Sequence, residues 1–159
     1  MKNSEAISAT AESTSIKSER RGRTNPVVLA RGLVQRYFEA LNSQQLEGMK
    51  AIVSPDIIHD VDTVERRLGR EAFLAYLGNR ADQYREHIFD IELMVNEDGT
   101  RAAAEYTLLG FPLSNGPHDE LGGSQTYRIS GGLFFQIEDG RIARVSQHAP
   151  PPSVDFGSD

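Results

Sequence analysis

Apolar residues recur at Ala30, Leu33, Val34, Tyr37 and Leu41, spacings of three and four that predict a helix buried along one stripe. Asn25 and Pro26 stand just ahead of that stripe, where Asn caps a helix and Pro suits its first position. Asn42-Ser43-Gln44 interrupts it, and Leu46, Met49, Ile52 and Val53 predict a second, shorter helix ended by Ser54-Pro55. Residues 56–61 are short and β-branched, the pattern of a strand, and helical spacing resumes over 69–84 through Phe73, Tyr76, Leu77 and Tyr84.

Beyond residue 86 the period changes from helical to strand-like. Segments 87–95 and 101–111 are joined by Asn96-Glu97-Asp98-Gly99, and segments 125–137 and 141–148 by Glu138-Asp139-Gly140, which predicts two hairpins. Gly131-Gly132 inside the third of these strands predicts a bulge that bends it. The stretch 112–123, with two Pro and three Gly, reads as a loop over one end of the sheet. The order helix, helix, strand, helix and then paired strands is an α+β pattern. A cone-shaped, curved antiparallel (mixed) sheet wraps around three N-terminal helices and encloses a pocket.

Residues 1–24 are rich in Ser, Thr, Glu, Lys and Arg, too poor in apolar surface to offset the entropy of ordering, and are expected to be a disordered tail. The domain is expected over 25–149, with Pro150-Pro151-Pro152 opening a C-terminal tail over 150–159. A length of 159 residues with 38% hydrophobic content suits one core. The formal charge of −6 argues against a nucleic-acid partner, which usually calls for a basic face. With no cysteines, thiolate nucleophiles, Cys-based zinc sites and iron–sulfur clusters are excluded. No run of apolar residues is long enough to span a bilayer, and the polar stretch after Arg20-Arg21 lacks the apolar segment that export requires, so a cytoplasmic protein with no membrane partner is expected.

Six stretches carry a resemblance. The run Leu33 to Asn42 (LVQRYFEALN), followed by Leu46-Glu47-Gly48-Met49 and by Pro55-Asp56 before a short strand, resembles ketosteroid isomerase and the SnoaL-like proteins of the nuclear transport factor two-like superfamily. Gly69-Arg70-Glu71-Ala72-Phe73, the run from Asn96 to Glu105, and the Phe134-Phe135 pair with Asp139-Gly140-Arg141-Ile142-Ala143 are similar to ketosteroid-isomerase-related proteins. The resemblance covers roughly residues 26–149. It implies a homodimer and a small apolar ligand, with no metal and no organic cofactor, and it is specific for fold more than for reaction.

In the isomerase a helix Tyr and a protonated acid bind the developing oxyanion while an Asp moves the proton. By the resemblance the Tyr falls on Tyr37, the Asp position on Val61 and the acid position on Gly132, so two of the three are replaced. Strand parity puts Ile57, His59 and Val61 on one face and Ile58, Asp60 and Asp62 on the other, which leaves His59, or Asp60 turned inward by a bulge, as the candidate base. The catalytic candidates are therefore Tyr37, His59 and Asp60. Glu105, Phe134 and Gln147 are the candidates for the pocket wall, Glu105 because a carboxylate among Ala102-Ala103-Ala104 is costly unless wet, paired or functional.

By alternation only one of Gln147 and His148 can face inward. His118-Asp119-Glu120 has metal-ligand residue types, but consecutive residues rarely converge on one ion. Neither a phosphate-cradling loop nor a Gly-x-Ser-x-Gly elbow is present. The leading expectation is proton transfer α to a carbonyl, as an isomerase or polyketide-cyclase-like enzyme. A non-catalytic small-molecule binder is the alternative. An epoxide hydrolase built on carboxylates and an Arg, with Glu105 and Arg128 as possible members, comes third.

Overall fold

The structure, a computed structural model, describes residues 24–113, 126–149 and 153–154. The expectations for the N-terminal tail, for His118-Asp119-Glu120 and for most of the loop over 112–123 lie outside the described residues. Helix α1 (Pro26–Ser43) starts where the Asn25 side chain accepts from the Val27 N–H, with Pro26 in the first turn. It ends at Gln44, which turns left-handed and returns its N–H to Ala40 and Leu41. The buried stripe is Ala30, Leu33, Val34, Tyr37, Phe38 and Ala40. Helix α2 (Leu46–Ile52) buries Met49 and Ile52 and runs directly into strand β1 (Val53–Val61). That strand begins three residues ahead of the expected start, because Pro55 fits an extended, exposed position as well as it breaks a helix.

Strand β2 (Glu65–Leu68) pairs antiparallel with β1, then come helix α3 (Arg70–Gln83) and strands β3 (Tyr84–Val95), β4 (Arg101–Pro112), β5 (Tyr127–Glu138) and β6 (Arg141–His148). The sheet is open and mixed, in the order β2-β1-β6-β5-β4-β3, with β1 parallel to β6 and the other pairs antiparallel. The helices lie against one face. There Tyr37, Phe38, Phe73 and Phe135 form an aromatic cluster, with Tyr37 5.2 Å from Phe135 and 6.5 Å from Phe73 between ring centroids.

Three expectations are corrected. The β4–β5 ladder passes through Gly131 and Gly132 in unbroken register, so no bulge lies there on the β4 side. Gly131 instead makes room, since a Cβ would sit 3.0 Å from the Tyr106 hydroxyl. The register shifts fall at Asp90 (φ 50°), between the pairs Phe89–Thr107 and Glu92–Glu105, at Ala143, between Gln136–Arg144 and Ile137–Ile142, and on the β1–β6 ladder between Val53–Ile142 and Ile58–Arg144. Strand β2 was not expected at all. Regular structure also returns after Pro150-Pro151-Pro152, where β7 (Ser153–Val154) pairs with Tyr127 and Arg128 of β5.

The Asp90 bulge decides which residues reach the interior. Upstream of it Tyr84, Glu86 and Ile88 pair with the inward residues of β4, and downstream Leu93 and Val95 do so, with Ile91 packed on the core. The inward positions change from even to odd across one extra residue.

Candidate functional site

Between α1, α3 and the inner face of β3–β6 lies a cavity of about 100 Å³. Its polar wall is made by Tyr37 and Asn42 from α1, His59 from β1, Tyr76 and Arg80 from α3, Tyr84 and Glu86 from β3, Tyr106 from β4 and Gln147 from β6. The volume lies below the roughly 300 Å³ at which drug-sized pockets begin and near the ~150 Å³ of a cavity that takes up benzene. The space suits a compact ligand.

Of the six residues singled out from the sequence, Tyr37, His59 and Gln147 line this cavity. Alternation along β6 turns Gln147 inward and leaves His148 outside, against the Phe134 ring at 5.5 Å. The other three do not reach the cavity.

Asp60 points to the opposite face of β1, since its neighbours Ile57 and His59 already occupy the inner one. There it accepts from Arg66 Nε at 2.6 Å, Arg144 Nε at 2.8 Å and Ser146 Oγ at 3.2 Å. Those bonds, the one from Arg66 foremost, lower its pKa to about 2. No bulge turns it inward, and its lone pairs are committed to two guanidinium groups.

Glu105 is exposed on the outer face between Glu92 and Gly132, because Ala104 and Tyr106 take the inward positions beside it. Phe134 is 53% exposed while Phe135 beside it is 2% exposed, so the inward ring of that pair is Phe135. Arg128, an outer-face neighbour of Leu109, carries its guanidinium over the Phe89 ring. Glu105 and Arg128 therefore assemble no carboxylate–guanidinium set in the cavity. The pair found there is Arg80 with Glu86.

Tyr37 is buried, and burial, with Tyr106 and Tyr76 close by, raises its pKa above the ordinary phenol value. Burial raises Tyr106 to about 12, with the Glu86 charge adding to the effect. Among the described residues the hydroxyls of Tyr37, Tyr76 and Tyr106 make no hydrogen bond, so three phenols present unclaimed donors to one cavity. Tyr37 and Tyr106 are protonated at neutral pH.

His59 is 2% exposed and packs edge-on against Phe73 at 5.1 Å and Tyr76 at 4.9 Å. Burial first, and then the Arg67 charge, lower its pKa to about 4 against the opposing pull of Asp60 and Glu65. The imidazole is therefore neutral at pH 7, and its buried Nδ1 has no partner among the described residues. Among those residues, no three His, Asp or Glu side chains gather as a metal-holding group.

Tyr76, Arg80, Glu86 and Tyr106 were missed from the sequence. Tyr76 and Arg80 lie one helical turn apart on α3, and their spacing alone carries no mark of a pocket. Glu86 had a legible signal, since it alternates with Tyr84 and Ile88, but only for a strand that begins at Tyr84.

No helix among the described residues is long and apolar enough to cross a membrane. Residues 34–145 match the model of the SnoaL-like domain. Among solved structures, the chain is similar to a proposed polyketide cyclase from Xanthomonas campestris pv. campestris. That match has 37% identity and a TM-score of 0.71 and covers 77% of this chain and 90% of the other. A proposed polyketide cyclase from Pseudomonas putida KT2440 matches at 37% identity and a TM-score of 0.70, covering 77% and 92%. An LEH-like epoxide hydrolase from M. tuberculosis shares the fold, at 16% identity and a TM-score of 0.65 over 79% and 81%. None of the curated proteins matches the chain. With the family model spanning most of the folded residues, the chain belongs to the SnoaL-like domain family.

Proposed function

We propose that the protein binds a compact, mostly apolar carbonyl compound in the cavity and moves a proton α to the carbonyl, as an isomerase or cyclase would. One observation carries this reading: the Tyr37 hydroxyl, with no hydrogen-bond partner among the described residues, and the neutral His59 imidazole line the same cavity. Tyr37 donates to the carbonyl oxygen and stabilises the enolate as charge develops on it. His59 accepts the α-proton and returns it. An imidazole with a pKa near 4 is unprotonated at every pH above about 5, so it is always ready to accept. Tyr106 and Tyr76 line the same cavity and supply further donors to the ligand.

A cytoplasmic location is part of the same proposal, and the superfamily resemblance with the outer-face residues Met94, Leu109, Phe111 and Phe134, each more than 40% exposed, supports a homodimer that pairs through the outer face of β3–β5.

Deuterium exchange into cyclopentyl methyl ketone, followed by NMR in D₂O, tests the catalytic reading. Exchange above the buffer rate is expected, with losses of about 10²-fold or more in Tyr37→Phe and in His59→Gln. Exchange that both substitutions leave untouched overturns the assignment. A second reading, a binder without turnover, is favoured by the low basicity of His59 and by Val61 and Gly132 at the two positions where the isomerase has acids. Thermal stabilisation by the ketone with no exchange selects it.

A further inference from the structure

Glu86, Gly110 and Tyr127 form one row across three strands, since Glu86 of β3 pairs with Gly110 of β4 and Gly110 pairs with Tyr127 of β5. All three face inward, and the middle one has no side chain. A Cβ on Gly110 would sit 2.6 Å from Cζ and Oη of Tyr127, so the phenol crosses the gap that the glycine leaves. Its hydroxyl then donates to Glu86 Oε1. Arg80 reaches the same carboxylate from α3, with Nε on Oε2 at 2.8 Å and Nη2 on Oε1. The guanidinium also lies 5.0 Å from the Tyr84 ring centroid, and the Tyr84 ring packs edge-on to Tyr127 at 5.9 Å.

This arrangement satisfies Glu86 and leaves Arg80 unsaturated. The carboxylate takes three hydrogen bonds and has little capacity to serve as a base or to accept from a ligand. Arg80 spends two of its five N–H groups on Glu86, and among the described residues the other three have no partner. Both residues line the cavity. A ligand group that approaches Arg80 therefore meets fixed N–H donors on a cation whose charge is cancelled at contact distance. A carboxylate placed there would lie beside a second, immovable carboxylate, whereas a ketone, ester or amide oxygen gains the donors without that repulsion.

We propose that the Arg80–Glu86–Tyr127 clamp is a specificity site that anchors an uncharged acceptor oxygen of the ligand and rejects a carboxylate at the same position. The proposal rests on the cavity being a ligand site, as in the function proposed above, and adds the charge class of the compound. Tyr127 and Gly110 are positioning residues that act through Glu86.

The test compares two nearly isosteric probes, cyclopentyl methyl ketone and cyclopentanecarboxylate, by calorimetric titration at pH 7.5. The wild-type protein is expected to prefer the ketone by about tenfold or more. Glu86→Gln keeps the shape and the acceptor oxygen but removes the negative charge, so the preference should collapse or reverse, with the gain in carboxylate binding. Should that variant not fold, Arg80→Met/Glu86→Gln removes both charges without leaving an unpaired ion. In it ketone binding should weaken by about tenfold, because the donors are gone.

An unchanged preference in Glu86→Gln, or undiminished ketone binding in the double variant, overturns the proposal. So does a wild-type protein that prefers the carboxylate or binds neither probe. Ketone binding that persists with no dependence on Glu86 or Arg80 sinks the clamp alone and leaves the cavity reading standing. Binding of neither probe counts against both.

Discussion

His59 and Arg67 stand opposite one another on the β1–β2 ladder and rest on the same phenol ring. The imidazole lies 4.9 Å from Tyr76 between ring centroids, and the Arg67 guanidinium lies 4.3 Å from that ring's centroid. A polar, exposed edge strand thus carries one residue, Arg67, that turns inward and sets its charge beside the candidate base.

That charge, added to burial, gives the protein an acid-sensitive stability. An unfolded chain takes up the His59 proton near pH 6.5, the folded one only near 4, so between those values the unfolded state binds more protons. The stabilisation is complete above about pH 6.5 and is lost as pH falls toward 4. The difference amounts to about 3 kcal/mol. Urea unfolding at pH 7, 5.5 and 4.5 should show this decline in the wild-type protein and a shallower one in His59→Phe. Equal slopes in the two proteins rule out His59 as its source.

Asp60 offers the complementary test, because the outer-face network of Arg66, Arg144 and Ser146 gives it a structural task. Asp60→Asn should cost about 1 kcal/mol, the scale of a networked surface pair, and less in high salt. It should leave ketone binding and exchange unchanged. A loss of exchange out of proportion to stability returns Asp60 to the chemistry.

Much of this molecule was legible in its sequence. The helical stripes, both hairpins and the shared face of Ile57 and His59 follow from spacing, and the cap at Asn25 lies where its side chain requires. What was not legible depends on partners distant in the chain. Strand β2 reads Glu-Arg-Arg-Leu, with no apolar alternation, and exists because β1 offers it an edge. Asp90 is an ordinary aspartate until the register on either side shows the slip, and that slip decides which of the residues after it face the interior. Arg80 and Glu86 read as solvated charges until the fold closes the helix over the strand.

The row through Gly110 predicts an outcome for one methyl group. Gly110→Ala places a Cβ 2.6 Å from the Tyr127 ring, an overlap that the ring can relieve only by leaving Glu86. Destabilisation of about 1 to 3 kcal/mol is expected, the usual cost of overpacking. Tyr127→Phe, which removes the hydroxyl and keeps the ring, should cost about 1 kcal/mol. Chemical denaturation of the two variants checks the order. A Gly110→Ala protein as stable as the wild type means that Tyr127 does not lie across the glycine.

Asn42 makes the last prediction, because its amide substitutes for a strand. Strand β3 lies at one edge of the sheet, and a row of unpaired backbone groups there invites pairing with another chain. At Ile88 that edge is closed from α1, where Asn42 Nδ2 donates to the Ile88 carbonyl at 2.8 Å and Oδ1 accepts from the Ile88 N–H at 2.8 Å. The two bonds tie the end of the helix to the strand two residues before the Asp90 bulge, and both Asn42 and Ile88 line the cavity. Asn42→Ala leaves a part-buried donor and acceptor without their partners, which should cost about 2 kcal/mol. Hydrogen exchange reads the effect at a single site. The Ile88 amide should lose protection by more than the global destabilisation accounts for, while the Leu133 amide in the centre of the sheet should follow global stability alone. Equal loss at both amides would mean that Asn42 supports the whole fold and not this edge.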